Sequence, residues 1–206
     1  MQGNTRTGII MATMIEATPL IGALGLEPAG GPVRVYTGQC GAVLAVSGIG
    51  KVNAALSAAY LAMRHGVSTV FNIGAAGATG NGMRTGEIFH IGSIVEPDRP
   101  RIMNRSQRAS APDTLEGFGM ASLATLDRPL VSAAERASVA LLADLVDMEG
   151  AAVLQACRMF GAGCYIFKMV SDTPEHQSDT EIVENIRQLA KPLADFFVTR
   201  VMPLSA

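Results

Sequence analysis

The chain has 206 residues, nearly half of them apolar and 17% charged, which is enough for one domain with a substantial core and excludes a disordered chain. A formal net charge of −2 gives no electrostatic ground for partnership with nucleic acid or an acidic membrane. Three cysteines, Cys40, Cys157 and Cys164, are odd in number and lack metal spacing, and two sit in apolar segments as reduced cytosolic thiols do.

Strand-like and helix-like segments alternate from the N-terminus on, which predicts an α/β fold around a largely parallel or mixed sheet. Residues 8–14 form a short, almost wholly apolar run, as expected of a strand covered on both faces. The run ends at Glu16 without a signal-peptide pattern, and no stretch is long and apolar enough to span a bilayer. Residues 33–36 and 42–46 read as strands separated by Gly38 and Gly41. Residues 51–65 carry Val52, Ala55, Leu56, Ala59, Tyr60 and Met63 at helical spacing. Residues 67–73 read as another buried strand running into a glycine-rich turn at 74–77, and residues 87–95 are again mostly apolar.

Residues 96–119 are polar, with Pro97, Pro100 and Pro112, and read as a long loop. Its cluster Arg99, Arg101, Arg105 and Arg108 reads as a solvated stretch. Residues 121–126 form a strand and 132–142 a helix, with Ser132 as N-cap and Glu135 in capping-box spacing. Residues 145–148 are a short strand leading into a helix with Ala152, Val153, Ala156, Cys157 and Phe160 on one face. Residues 165–170 are the last core strand, and 180–198 a terminal helix that Pro192 is expected to kink or divide. No repeat or second hydrophobic unit appears, so residues 1–206 read as a single domain.

The glycine motifs need sorting before the chemistry. Gly48-Ile49-Gly50-Lys51 lacks the glycine and the Ser/Thr that a phosphate loop requires, where Ala45 and Val52 stand. A dinucleotide fingerprint would need glycine at Asn53. The motif still places backbone N–H groups at a sheet's carboxyl edge, where ligands bind. Acidic residues are rare in the apolar elements, and three stand at strand ends: Glu16, Glu149 and Asp172. Singly, Glu16 and Asp172 also read as caps and Glu149 as a carboxylate favoured by a helix dipole. Together they would gather at one edge of an open sheet. His65, His90 and His176 are scattered and read as surface or capping residues, so no metal site is expected.

Residues 8–16, Ser47-Gly-Ile-Gly-Lys-Val-Asn-Ala-Ala55, Asn72-Ile-Gly-Ala-Ala-Gly77, residues 146–152 (VDMEGAA) and Val170-Ser-Asp172 resemble, in order, the motifs of the nucleoside phosphorylase-I superfamily. The likeness is strongest to its nucleosidase branch, of the methylthioadenosine/S-adenosylhomocysteine nucleosidase kind. The resemblance implies a single-domain, three-layer αβα sandwich with a central mixed twisted sheet. It also implies a cytoplasmic homodimer that needs no cofactor and cleaves the N-glycosidic bond of an adenine nucleoside such as 5′-methylthioadenosine. Glu16 falls where a carboxylate activates water, Met148 and Glu149 where ribose is held, and Asp172 where a carboxylic acid donates to purine N7, oriented by Ser171. Ile49 falls near the sugar or its 5′ substituent, and Leu130 where backbone groups meet the base.

Three positions depart from that pattern. Lys168 replaces an arginine four residues before Asp172, Ala75 replaces a serine, and Pro129 stands where an aromatic usually stacks on the base. The arginines that hold phosphate in phosphorylases are missing after Glu16 and at Asn72, which favours water as nucleophile. The alternatives are a futalosine or other pathway-specific nucleosidase, a purine nucleoside phosphorylase, and a catalytically silent purine-binding protein. Asp127-Arg128-Pro129 also resembles hopanoid-pathway nucleosidases.

Overall fold

Side chains alternate across a strand, and in the first strand both faces are covered. Ile9 packs among Leu20, Leu44, Phe71 and Leu193, whereas its neighbour Ile10 packs among Ala54, Leu61 and Val70. Such a strand needs helices on both sides. The computed structural model describes residues 6–100, 109–130, 132–175 and 178–204, so the expectations for Arg101, Arg105, Arg108 and His176 lie outside the described residues.

The chain runs β1 (Arg6–Met11), α1 (Met14–Ala23), β2 (Glu27–Ala29), β3 (Arg34–Thr37), β4 (Ala42–Val46), α2 (Lys51–His65), β5 (Val67–Ala78) and β6 (Ile88–Val95). It continues through β7 (Met120–Thr125), α3 (Ala133–Ala140), β8 (Leu145–Asp147), α4 (Gly150–Phe160), β9 (Gly163–Asp172) and α5 (Asp179–Phe196). Helices α2 and α4 pack on one face of the sheet, α1 and α5 on the other, which gives the three layers expected.

The sheet is mixed, in the order β2-β3-β4-β1-β5-β8-β7-β6-β9. A further pairing, β5 with β9 in parallel, closes β5, β8, β7, β6 and β9 into a ring. The twist of the sheet therefore ends in a small barrel at one side, a closure that the alternation of elements does not reveal.

Several elements differ from expectation. The strand expected over 8–14 stops at Met11, and α1 follows at once, capped by Thr13. Thr13 and Glu16 form a capping box, so Glu16 lies in a helix's first turn rather than in a loop. Residues 74–77 are no turn: β5 continues through them to Ala78, paired with β9 along their length and with β8 from Gly77 on, while the Ala75 N–H donates to Glu16. Pro192 does not divide α5. Its ring is exposed while Ala190, Leu193 and Ala194 beside it are buried, and that packing holds the helix together across the lost hydrogen bond. The helix loosens only after Phe196, in a π-helical turn over Phe197–Val201.

His90 is fully buried, contrary to its reading as a surface or capping residue. Its Nδ1 lies 2.9 Å from the Ile166 carbonyl, Nε2 accepts from the Leu115 N–H at 2.9 Å, and the ring stacks on Phe167. It therefore ties the loop before β7 to β9.

Candidate active site

The three carboxylates singled out from the sequence meet in one cleft of about 700 Å³, counting its open mouth. Its wall also includes Ile49, Ala75, Leu130, Met148 and Ser171, so eight of the nine expected site residues line it. The ninth, Lys168, is only 1% exposed and is not part of the wall.

Glu16 is held by its own helix start. Its Oε2 accepts from the Thr13 N–H at 3.0 Å and the Thr13 hydroxyl at 2.7 Å, and Oε1 accepts from the Ala75 N–H at 2.9 Å. The approach to β5 is close enough that a Cβ at Gly74 would stand 2.9 Å from Oε1. With three donors on it, Glu16 presents a fixed carboxylate at one end of the cleft.

Glu149 follows β8 at the N-cap position of α4, but its side chain turns away from that helix. Its Oε1 accepts from the Gly50 N–H at 2.8 Å, so the amino end of α2 is directed at this carboxylate. Gly48 and Gly50 both have positive φ, which bends the strand-to-helix turn into that position. Burial, then Asp147, push the Glu149 carboxyl up to about 7 against the opposing pull of Lys168 and the Gly50 N–H.

Lys168 explains why so many acids coexist here. Its Nζ lies 2.8 Å from Asp147 Oδ2. Asp147 in turn accepts from the Thr125 hydroxyl at 2.7 Å and the Gly150 N–H at 2.8 Å. Burial alone would discharge the lysine, but Asp147 and Glu149 outweigh it and hold the ammonium above the ordinary lysine value. Lys168 thus supports the cleft from behind.

Asp172 closes β9 and stands at the other end. Its Oδ1 accepts from the Ser171 hydroxyl at 2.6 Å, and Oδ2 accepts from Nη2 of Arg136. Arg136 also donates from Nη1 to the Ala78 carbonyl at 2.8 Å. Position 77 must be glycine for this arrangement, because a Cβ there would lie 2.8 Å from Asp172 Oδ2 and 3.1 Å from Arg136 Nη1. Arg136 was not expected from the sequence. It lies in a helix rich in alanine and serine, and its one signal is its spacing of three from Val139, the other buried residue of α3.

Ile182 and Ile186 of α5 also line the cleft, as do Arg128 and Pro129, next to Leu130 in the chain. Lys51 anchors that side, with Nζ 2.7 Å from Asp98 and 3.5 Å from Asp127, while Asp98 accepts from the Asp127 N–H at 2.6 Å. Among the described residues, no three His, Cys, Asp or Glu side chains gather as a metal site.

The phosphorylase superfamily model matches residues 6–142 and 121–202. The chain belongs to that superfamily. The 5′-methylthioadenosine/S-adenosylhomocysteine nucleosidase of a Marinomonas species is 28% identical over 174 residues, covering 72% of this chain and 75% of that protein. The aminodeoxyfutalosine nucleosidase of Campylobacter jejuni is 24% identical over 177 residues, covering 75% and 77%. Among solved structures, the 5′-methylthioadenosine/S-adenosylhomocysteine nucleosidase of Helicobacter pylori superposes with a TM-score of 0.85 at 20% identity, covering 95% of this chain and 97% of that one. The superfamily places the ordered motifs of the sequence on an enzyme scaffold, and the structural likeness bears out the fold.

Proposed function

We propose that this superfamily member is a purine nucleosidase that hydrolyses the N-glycosidic bond of an adenine nucleoside such as 5′-methylthioadenosine or S-adenosylhomocysteine. The observation that carries this reading is the meeting of Glu16 from the start of α1, Glu149 from the turn after β8 and Asp172 from the end of β9 in one cleft. Glycosidic cleavage passes through an oxocarbenium-like state, which calls for a water-activating base on one side, a proton for the leaving group on the other, and negative charge near the sugar. Glu16 takes the proton of the attacking water. Met148 and Glu149 hold the ribose, Asp172 gives a proton to N7 with Ser171 orienting it, and backbone groups at Leu130 meet the base. Ile49, 57% exposed at the rim, meets the 5′ substituent. Ala75 serves through its N–H on Glu16, and Lys168 through the charge it holds behind the cleft.

Water rather than phosphate is supported by where the cations stand. Arg136 reaches Asp172, and Arg128 belongs to the segment beside Leu130. Glu16 is bonded by Thr13 and the Ala75 N–H, and the cation nearest it, Lys168, is buried and paired with Asp147, so the surroundings are a poor cradle for phosphate. The named relatives include an aminodeoxyfutalosine nucleosidase, so a pathway-specific nucleoside of that kind is the second reading.

A homodimer in the cytoplasm accompanies this reading. Val52 and Leu56 of α2 and Met159 and Phe160 of α4 expose apolar side chains along one shared groove that begins one turn from Ile49. The test is release of free base from methylthioadenosine, S-adenosylhomocysteine, adenosine, inosine and futalosine, with and without phosphate. Adenine release independent of phosphate is expected, with Glu16→Gln and Asp172→Asn each losing at least two orders of magnitude. Release that requires phosphate would overturn the hydrolase, and full activity in either variant would overturn the mechanism.

A further inference from the structure

Two cations are buried among the described residues, Lys168 and Arg136. Lys168 neutralises Asp147 behind the cleft, whereas the mechanism above gives Arg136 nothing to do. Arg136 is 5% exposed, yet it comes from an eight-residue helix whose other buried side chain is Val139. Core packing therefore does not account for its inward course. A buried ion pair by itself is also no gain in stability over apolar side chains of the same volume. What distinguishes this pair is its place: Arg136 is part of the cleft wall, at the end where Asp172 stands. Its bonds to the Ala78 carbonyl and to Asp172 fix the plane of a group that carries five N–H donors.

We propose that Arg136 is a catalytic residue on the leaving-group side: it touches the reacting carboxylate of Asp172, donates to the adjoining edge of the purine, and carries the negative charge that develops there. The proposal rests on the nucleosidase reading. In the step, the water oxygen bonds to C1′ as its proton passes to Glu16. The C1′–N9 bond breaks with its electron pair going into the purine, and N7 takes a proton that Asp172, ionised beside Arg136 in the free protein, acquires from solvent as the purine binds. Negative charge is thus shared between the departing base and the carboxylate losing its proton, and both lie against the guanidinium. Arg136 moves no proton, because a guanidinium stays charged throughout the working pH range. It acts by charge fixed in place beforehand in a water-poor site, an effect worth roughly 10²–10³ in kcat for one donor.

A leaving group that needs no help separates this role from a structural one. Arg136→Met is assayed on the purine nucleoside and on a p-nitrophenyl riboside with the same 5′ substituent. The expected result is a loss of roughly 10²–10³ in kcat on the purine substrate with p-nitrophenol release nearly unchanged. Arg136→Lys keeps the charge and loses the fork, so it shows a smaller loss with the same selectivity. It also serves alone if the methionine variant does not fold. Equal losses on both substrates, or full purine activity in both variants, would overturn the role of Arg136. If the unaltered protein releases neither purine nor p-nitrophenol, it is the nucleosidase reading that fails.

Discussion

At the scale of single residues, Glu149 carries a charge that responds within the physiological range. Its carboxyl is pushed up to about 7 by burial and by Asp147. An acceptor of sugar hydroxyls works best ionised, so kcat/KM should rise with pH through about 7 and level off above it. Glu149→Gln should remove that limb. The same shift has a stability consequence of definite sign. Between the ordinary glutamate value of 4.5 and about 7, the folded protein keeps a proton that the unfolded chain has released. Stability therefore falls as pH rises through that window, by about 3 kcal/mol in all. Urea unfolding at pH 5 and pH 8 should show the difference, and Glu149→Gln should flatten it. A protein equally stable at both pH values would show that Glu149 is not perturbed in this way.

The same scale shows why the carboxylates were legible in the sequence and Arg136 was not. Glu16, Glu149 and Asp172 interrupt or terminate apolar runs, where a charge has to be explained by a partner or a role. Arg136 lies among Ala133, Ala134, Glu135, Ala137 and Ser138, a composition in which an arginine normally faces water. Its burial depends on where β5 and β9 end, which is long-range information.

At the scale of elements, the misread stretch is 74–77. Two glycines in four residues suggest a turn on composition, but here they mark close approach: Glu16 presses on the strand at Gly74, and Asp172 with Arg136 presses at Gly77. No positive φ is involved at either position, so alanine is compatible with the backbone and only the contacts object. Gly77→Ala should therefore leave the far-ultraviolet circular dichroism unchanged while base release falls at least tenfold, since displaced catalytic groups cost on the order of 10². Retained activity would mean that Asp172 and Arg136 can shift without consequence. Helix α1 escaped notice for a related reason. Its Thr13-Met14-Ile15-Glu16 box follows the first strand with one residue between, so an apolar run through Ile15 masks the boundary.

For the whole molecule, the alternation of elements was enough to foresee an α/β fold around a largely parallel or mixed sheet, and the family resemblance added the two helical layers. The ring was not foreseeable, because the β5–β9 pairing joins residues about ninety positions apart and leaves no local pattern. The homodimer can be tested at this scale. Leu56, 62% exposed on α2, lies in the apolar face shared with α4. Leu56→Glu should convert a dimer into a monomer in sedimentation velocity, because an interface of this kind tolerates no unpaired charge at its centre. An unaltered protein that sediments as a monomer would remove the proposed dimer.

The ring also makes β5 a ruler. Glu16 reads one mark on it, at Gly74 and Ala75, and Asp172 reads another at Gly77, three residues or ~10 Å farther along an extended strand. Because β9 pairs with β5 along the whole of this stretch, that span cannot stretch or contract as loops move. Selection among nucleosides then includes a test of length: a ligand with one extra methylene between sugar and base would reach one mark and miss the other, however well its two halves fit separately.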